Sequence, residues 1–308
     1  MNTWIGGLIP TLIMMCAAWL VVTFIGLMQK WNIDRRRRSP FTNDFLRNPG
    51  HTVFRQLDDA RGEVMIYMSA CMSMPLLLFS VPVTQAWWSQ QSIPMWVWVF
   101  HGVIGLGLSL FLGTKLTKAI RRVEQLRLGY EGELAVGQEL NQLMSAGYLV
   151  YHDFPADGFN LDHVVIGSTG VFAVETKARR KLVTGNGRAD AQVDYTGQIL
   201  RFPSWADRKT LDQAHRQAQW LSRWLLSAVG ESVSVRAAVA LPGWYVSQTG
   251  RGDALVFIGK RPDTVFPKVR RIRISPEMIQ RITHQVEAKC RDVTLRAYGA
   301  PVNAQINA

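Results

Sequence analysis

Cysteine is scarce. The 308-residue chain has three, Cys16, Cys71 and Cys290, and no C-x-x-C pair. That excludes a disulfide framework and a cysteine zinc knuckle, and it fits a reducing compartment. Charge is also thin, at 19% of residues, where soluble domains carry about a quarter. Three long stretches, Ile5–Met28, Val64–Val83 and Met95–Thr114, contain no Asp or Glu at all. Acids inside a membrane mark ion and substrate paths, so their absence argues against a transporter. There is no low-complexity segment or internal repeat, and the composition excludes a disordered or collagen-like chain.

What is present divides the chain in two. Each of the three stretches reaches the roughly 20 apolar residues that span a bilayer. No Lys or Arg precedes the first, as a signal peptide would require, whereas Lys30 and Arg35-Arg36-Arg37-Arg38 follow it. Pro75 and Pro82 mark kinks in the second. The loop Thr84–Pro94 is uncharged, and Trp87, Trp88, Trp96 and Trp98 cluster at the outer end of the third stretch like an interfacial belt. Lys115, Lys118, Arg121 and Arg122 follow the third stretch. Both basic clusters therefore fall on one side, which places the N-terminus outside and everything after residue 114 in the cytosol. The expectation is a multi-pass protein of a bacterial-type inner (cytoplasmic) membrane, in contact with lipid. Gly105, Ser109 and Gly113 form a small-residue face that suits packing on the chain's own spans, with a homo-oligomer as the alternative. His101 reads as an interior packing residue.

The net charge is +12. Residues 1–130 hold 13 Lys+Arg against 6 Asp+Glu, and residues 131–308 hold 22 against 17. Membrane topology accounts for the first excess. The second, +5, is a mild pointer to an anionic partner.

Residues 115–128 read as a basic helical connector ended by Gly129. Beyond it, Glu131–Ala146 has helical periodicity, with Val136, Leu140, Leu143 and Met144 on one stripe. Strands are expected at Tyr148–His152, Leu161–Gly167, Val171–Lys177, Val233–Leu241, Ala254–Ile258 and Val269–Ile274, with an irregular stretch over 178–208. A helix over Thr210–Val229 turns Leu211, Ala214, Ala218, Leu221, Leu225 and Ala228 to a core. Ser275-Pro276-Glu277 opens a last helix. The fold class is mixed α/β.

The informative segment runs from Leu161 to Lys177. With Ser168-Thr169 as a hairpin turn between two glycines, facing residues have numbers summing to 337. Ile166 then faces Val171, Val164 faces Ala173, and Asp162 faces Glu175. Like charges opposite one another on a sheet are destabilising, and such a pair makes sense with a cation between them. Lys177 shares the face of Glu175, two residues away. On the preceding helix, Glu133 falls inside the apolar stripe, where an acid is costly unless paired or metal-bound, so it is expected to reach toward the hairpin. His163 points to the opposite face and reads as core. His152 and His215 have no partner visible in the sequence. Trp220 and Trp224, one turn apart, read as helix packing ahead of a base-stacking platform.

The set Glu131-Gly132-Glu133, Asn160-Leu161-Asp162-His163-Val164-Val165 and Gly170-Val171-Phe172-Ala173-Val174-Glu175-Thr176-Lys177 resembles the PD-(D/E)xK nuclease superfamily, and more closely its NERD (nuclease-related) domain. Gln213-Ala214 at the start of the next helix adds to the likeness. Leu161 stands where the superfamily has proline. The resemblance implies a restriction-endonuclease-like mixed sheet over 129–241, with 242–308 as an extension, after a membrane region 1–114 and the connector 115–128. It implies phosphodiester hydrolysis of nucleic acid, DNA first, with Mg²⁺ or Mn²⁺ held by Asp162, Glu175, Thr176 (through its carbonyl) and Glu133. Lys177 would orient water or offset charge, and Arg179, Arg180 and Lys181 would grip flanking phosphates. The alternative is a catalytically silent membrane module that uses the same domain to bind nucleic acid or protein.

Overall fold

The structure, a computed structural model, describes residues 20–21, 23–24, 28, 44–182, 185, 187–269 and 273–293. Most of the expected first span and its basic cluster, Lys30 and Arg35–Arg38, lie outside the described residues. The chain divides into two compact units. One comprises Met1–Thr42, Asp58–Val123 and Arg296–Ala308, the other Asn43–Leu57 and Glu124–Leu295.

Two helices, α1 (His51–Ser89) and α2 (Met95–Asn141), are long and apolar enough to cross a membrane. Within the first unit they touch along their length. Phe79 meets Trp98 at a ring separation of 5.7 Å, and Arg122 reaches Glu63 at 3.3 Å. A Cβ built on Gly105 would lie 3.7 Å from Leu78, so this part of the small-residue face meets the chain's own helix. Their large apolar side chains point outward: Met65, Ile66, Met72, Leu76, Val103, Leu106 and Leu110 are all exposed. A helix that is apolar all round belongs in an apolar surrounding. Two expectations are corrected here. Helix α1 continues through Thr84 to Ser89, so the connection is only Gln90–Pro94. Helix α2 runs through Gly129 without a break, because a single glycine lowers helix stability by only about 1 kcal/mol and does not end it. The third span, the connector and the start of the expected Glu131–Ala146 helix are therefore one element. Its 3₁₀ continuation, Gln142–Ala146, stops at Gly147 with φ +81°.

The second unit is built on a five-stranded sheet. Its strands are β2 (Leu149–Pro155), β3 (Asn160–Gly167), β4 (Gly170–Thr176), β8 (Val235–Ala240) and β10 (Leu255–Phe257), in the order β10-β8-β4-β3-β2. β2, β3 and β4 are antiparallel, and β4, β8 and β10 are parallel. One face carries α3 (Lys209–Val229) and α4 (Pro276–Cys290). Leu211, Ala214, Ala218, Leu221 and Leu225 of α3 are buried against Val164, Ile166, Val171 and Ala173. The other face takes Val136, Leu140 and Leu143 against Val165, Phe172 and Val174. Ser275 caps α4 by accepting from the Met278 amide at 3.2 Å.

The stretch expected to be irregular contains strands β5 (Gln192–Tyr195), β6 (Leu200–Arg201) and β7 (Ala206–Asp207), which form a second sheet with β9 (Tyr245–Gln248). Two-residue strands are too short to leave an alternation in the sequence, and β9 pairs with β5 from about 50 residues away. Of the strand expected at Val269–Ile274, residues 270–272 lie outside the described residues, and Val269, Arg273 and Ile274 are in no strand.

The residues before α1 are tied into this unit. β1 (Phe45–Leu46) pairs with β11 (Arg291–Val293). Arg47 donates to both carboxylate oxygens of Asp292, at 2.7 and 2.6 Å, and to Asp153 Oδ2 at 2.9 Å. Since Asp153 is buried, removing Arg47 would leave an unpaired interior charge, which typically costs about 3–5 kcal/mol. The folded unit therefore needs chain that precedes the first described membrane-length helix.

Candidate active site

The site lies at one end of the central sheet. The β3–β4 ladder pairs Gly167 with Gly170, Ile166 with Val171, Val164 with Ala173 and His163 with Val174, as the hairpin arithmetic expects. Gly167 admits the Tyr148 ring, which would stand 2.2 Å from a Cβ placed there. One step beyond the ladder, Asp162 Oδ2 accepts from the Thr176 amide at 2.6 Å. The β2–β3 register has a gap in the same row: His152 pairs with His163 and Phe154 with Leu161, leaving Asp153 beside Asp162. Three acids, Asp153, Asp162 and Glu175, thus follow one another across three strands.

Each acid has a specific partner. Asp153 adopts φ +50°, a conformation Asp tolerates better than most residues. Its carboxylate accepts from Arg47, from Thr52 Oγ1 at 2.7 Å and from Asn160 Nδ2 at 3.3 Å. Glu175, 2% exposed, meets Lys177 Nζ at 2.5 Å through one oxygen and Gln217 Nε2 at 2.5 Å through the other. Glu133 enters from α2. Its neighbour Gly132 lies so close to β4's end that a Cβ would be 2.6 Å from the Ala178 Cβ and 3.7 Å from Thr176 Cγ2. The glycine is what lets the helix deliver Glu133 to the strand end.

Crowded, desolvated carboxylates resist ionisation. Burial first, then the charges of Asp153 and Glu175, push Glu133 up to about 8, against a smaller opposing pull from Lys177. Burial, then Glu175 and Glu133, hold Asp162 well above the usual carboxylate range, although the Thr176 amide and Lys177 favour its anion. Asp162, Glu175, Lys177 and Glu133 are therefore one electrostatic group. As a donor set, buried carboxylates that repel one another suit a hard divalent cation. Among the described residues, no three His, Cys, Asp or Glu side chains enclose an ion by themselves, so main-chain oxygen, water or phosphate must complete any such shell.

Of the other expected residues, Arg179 approaches Asp207 at 3.4 Å and Arg180 approaches Glu124 at 3.4 Å, both largely exposed. Lys181 sits over the Trp244 ring at 5.7 Å. Gln213 does not touch the acids among the described contacts. Gln217, one turn on, does, and helix geometry could have found it. At about 100° per residue it lies about 40° from buried Leu221, where Gln213 lies about 80° away. Trp224 packs as expected, edge-on to Phe154 at 5.0 Å.

On the sheet's opposite face the two buried histidines are partners, which the sequence did not reveal. His152 Nε2 meets Asn141 Oδ1 at 3.0 Å, the two Nδ1 atoms lie 2.9 Å apart, and His163 Nε2 meets Thr176 Oγ1 at 3.2 Å. Because Asn141 Oδ1 can only accept, a consistent assignment runs Thr176 O–H to His163, His163 N–H to His152, and His152 N–H to Asn141. Both rings are then neutral. Burial lowers His152 to about 4 and His163 well below its ordinary value, with His152's charge adding to the latter.

The sign of the pH effect follows. Glu133 ionises near 4.5 when unfolded and near 8 in the metal-free fold. Between those values the folded state keeps a proton that the unfolded chain has lost. The stability this group contributes is full below pH 4.5 and is lost as the pH rises to 8. The histidines act oppositely, costing stability as the pH falls below 6.5. In chelator, thermal unfolding of the full chain against Glu133→Gln should therefore show the wild type losing ground between pH 4.5 and 8, by on the order of a few kcal/mol. Parallel curves would mean that Glu133 is ionised in the folded protein.

The family model described as a nuclease-related domain, NERD, matches residues 128–242, a segment that contains Glu133, Asp162, Glu175, Lys177 and Gln217. No curated protein and no solved structure matches the chain. The acids and lysine gathered at the sheet's end thus lie within the matched segment, and the chain carries a nuclease-related (NERD) domain.

Proposed function

We propose that this domain hydrolyses phosphodiester bonds of nucleic acid, DNA by preference, with Mg²⁺ or Mn²⁺ as cofactor. The observation that carries the reading is the convergence of Glu133, Asp162, Glu175 and Lys177 at one sheet end inside the nuclease-related segment. Asp162, Glu175, the Thr176 carbonyl and Glu133 would hold the ion. Once bound, such an ion polarises the phosphate and lowers the pKa of a coordinated water. Lys177 orients the attacking water and offsets charge growing on phosphorus-bound oxygen. Gln217 fixes Glu175 so that its oxygens keep their aim. Arg179, Arg180 and Lys181 offer positive charge to flanking phosphates.

One observation favours a competing reading. Glu175 is already satisfied by Lys177 and Gln217, as it would be in a silent domain that only binds. Cleavage assays separate the two. The full chain in detergent should cut labelled DNA or RNA when Mg²⁺ or Mn²⁺ is added, and Asp162→Ala or Lys177→Ala should slow single-turnover cleavage by a factor on the order of 10² or more. Binding by wild type without cleavage under any divalent metal would leave the silent reading in place.

The outward apolar surface of α1 and α2 supports a multi-pass arrangement in a bacterial-type inner membrane, with lipid as its partner. The charges of Lys115, Lys118, Arg121 and Arg122 support a cytosolic nuclease-related domain and an N-terminus outside. The Gly105, Ser109 and Gly113 face remains available for a homo-oligomer at its end nearer Gly113, where a Cβ would meet nothing within 4 Å. A topology reporter in the Gln90–Pro94 connection should read outside and one after Ala308 inside. The reverse pattern would rule out a cytosolic nuclease.

A further inference from the structure

Gln217 has two roles in the structure. Its nitrogen holds Glu175, and its oxygen is buried with no hydrogen-bond partner among the described residues. The same residue lines a cleft of about 420 Å³ with Phe159, Gln213, Arg216, Gln219, Trp220 and Arg223, within the range of small-molecule sites, about 300–1,000 Å³. Residues 213, 216, 217, 220 and 223 follow three- and four-residue steps, so one stripe of α3 leads from the acid group along the cleft.

The chemistry of that stripe is specific. Arg216 and Arg223 are exposed cations with no partner among the described hydrogen bonds and ion pairs. Phe159 and Trp220 meet edge to face at 5.5 Å, with Phe159 37% exposed. Lys289 Nζ lies 5.7 Å from the Trp220 ring and 5.3 Å from Trp224, adding charge to the aromatic group. Arginines beside an exposed Phe159 and a half-buried Trp220, which stacks on Trp224, are a pairing that suits single-stranded nucleic acid, phosphate on one and base on the other. Base faces in a duplex are covered by their neighbours and cannot reach such rings without being unstacked. A base N–H would also supply the donor that Gln217 Oε1 lacks.

We propose that this cleft is the binding site for an unpaired nucleotide next to the scissile phosphate, so that the domain's substrate is single-stranded nucleic acid or a single-stranded end. The proposal rests on the nuclease reading and deepens it by naming the strand state. Arg216 and Arg223 take the backbone, Phe159 and Trp220 take the base, and Gln217 joins the cleft to Glu175 in the acid group where the scissile phosphate would be cut.

The test uses the full chain in neutral-lipid nanodiscs, carrying Asp162→Asn to block cleavage, with labelled oligothymidylate and a blunt DNA duplex as probes. Arg216→Ala/Arg223→Ala should flatten the log–log salt slope on the single strand by about 1.4. Trp220→Ala should weaken single-strand binding by about 5- to 150-fold, and Trp220→Phe should recover most of it. Duplex affinity should stay within about twofold for the tryptophan variants, whose ring a stacked base cannot reach. Because Trp220 also packs near Phe154, at 6.2 Å, the two exposed arginines give a readout that does not depend on core packing. Equal losses on both probes would overturn the proposal, as would wild-type single-strand affinity and salt slope in every cleft variant. In those cases metal-dependent cleavage by the chain without Asp162→Asn would leave the nuclease reading standing. Absence of both binding and cleavage would remove the two together.

Discussion

Carboxylates packed beside one another at a largely buried sheet end define this domain. Asp153, Asp162 and Glu175 stand in a row across three strands, and Glu133 descends on them from a helix. Ionising all four without compensation would cost far more than a domain's net stability of about 5–15 kcal/mol. The surrounding structure answers each in turn: Arg47 for Asp153, Lys177 and Gln217 for Glu175, and the Thr176 amide for Asp162. Glu133 has no such partner among the described residues and is held up to about 8, and Asp162 too stays well above the usual carboxylate range despite the Thr176 amide. A purely structural core would gain by replacing such groups with apolar ones, and the family match places them in a nuclease-related segment.

That constraint also explains features away from the acids. Gly132 leaves the space that Ala178 occupies, and Asp153, in a left-handed backbone conformation, meets Arg47 and Thr52. The neutral histidine pair behind the sheet holds Thr176 from the side opposite Asp162, so the strand end is fixed on both faces. Asn43–Leu57 supplies Arg47 from the chain before α1 and Thr52 from the first turn of α1, and it belongs to the compact unit that contains the site.

The site was more legible in the sequence than the fold around it. Two glycines bracketing Ser168-Thr169 set a register, and a period of two did the rest, bringing Asp162 to Glu175 and Lys177 onto their face. Glu133 was visible as an acid in an apolar stripe. What stayed hidden depends on contacts distant in sequence. The Arg47–Asp153 pair joins residues 106 apart. The His152–His163 contact crosses two strands whose pairing, unlike the β3–β4 hairpin, no two-residue turn announces. The second sheet is made of strands two to four residues long. The family likeness points to Gln213, whereas the helix turns Gln217 inward to Glu175.

The central claim is that the crowded acids are a cation site, and the most direct measurement is calorimetric titration of the full chain with Mn²⁺ at pH 7 in buffers of different ionisation enthalpy. A metal that takes Glu133, which is protonated up to about pH 8, must expel a proton. The account predicts binding coupled to proton release from Glu133 and Asp162, with binding lost in Asp162→Asn and proton release reduced in Glu133→Gln. Binding with no proton release, or binding unchanged by Asp162→Asn, would contradict it.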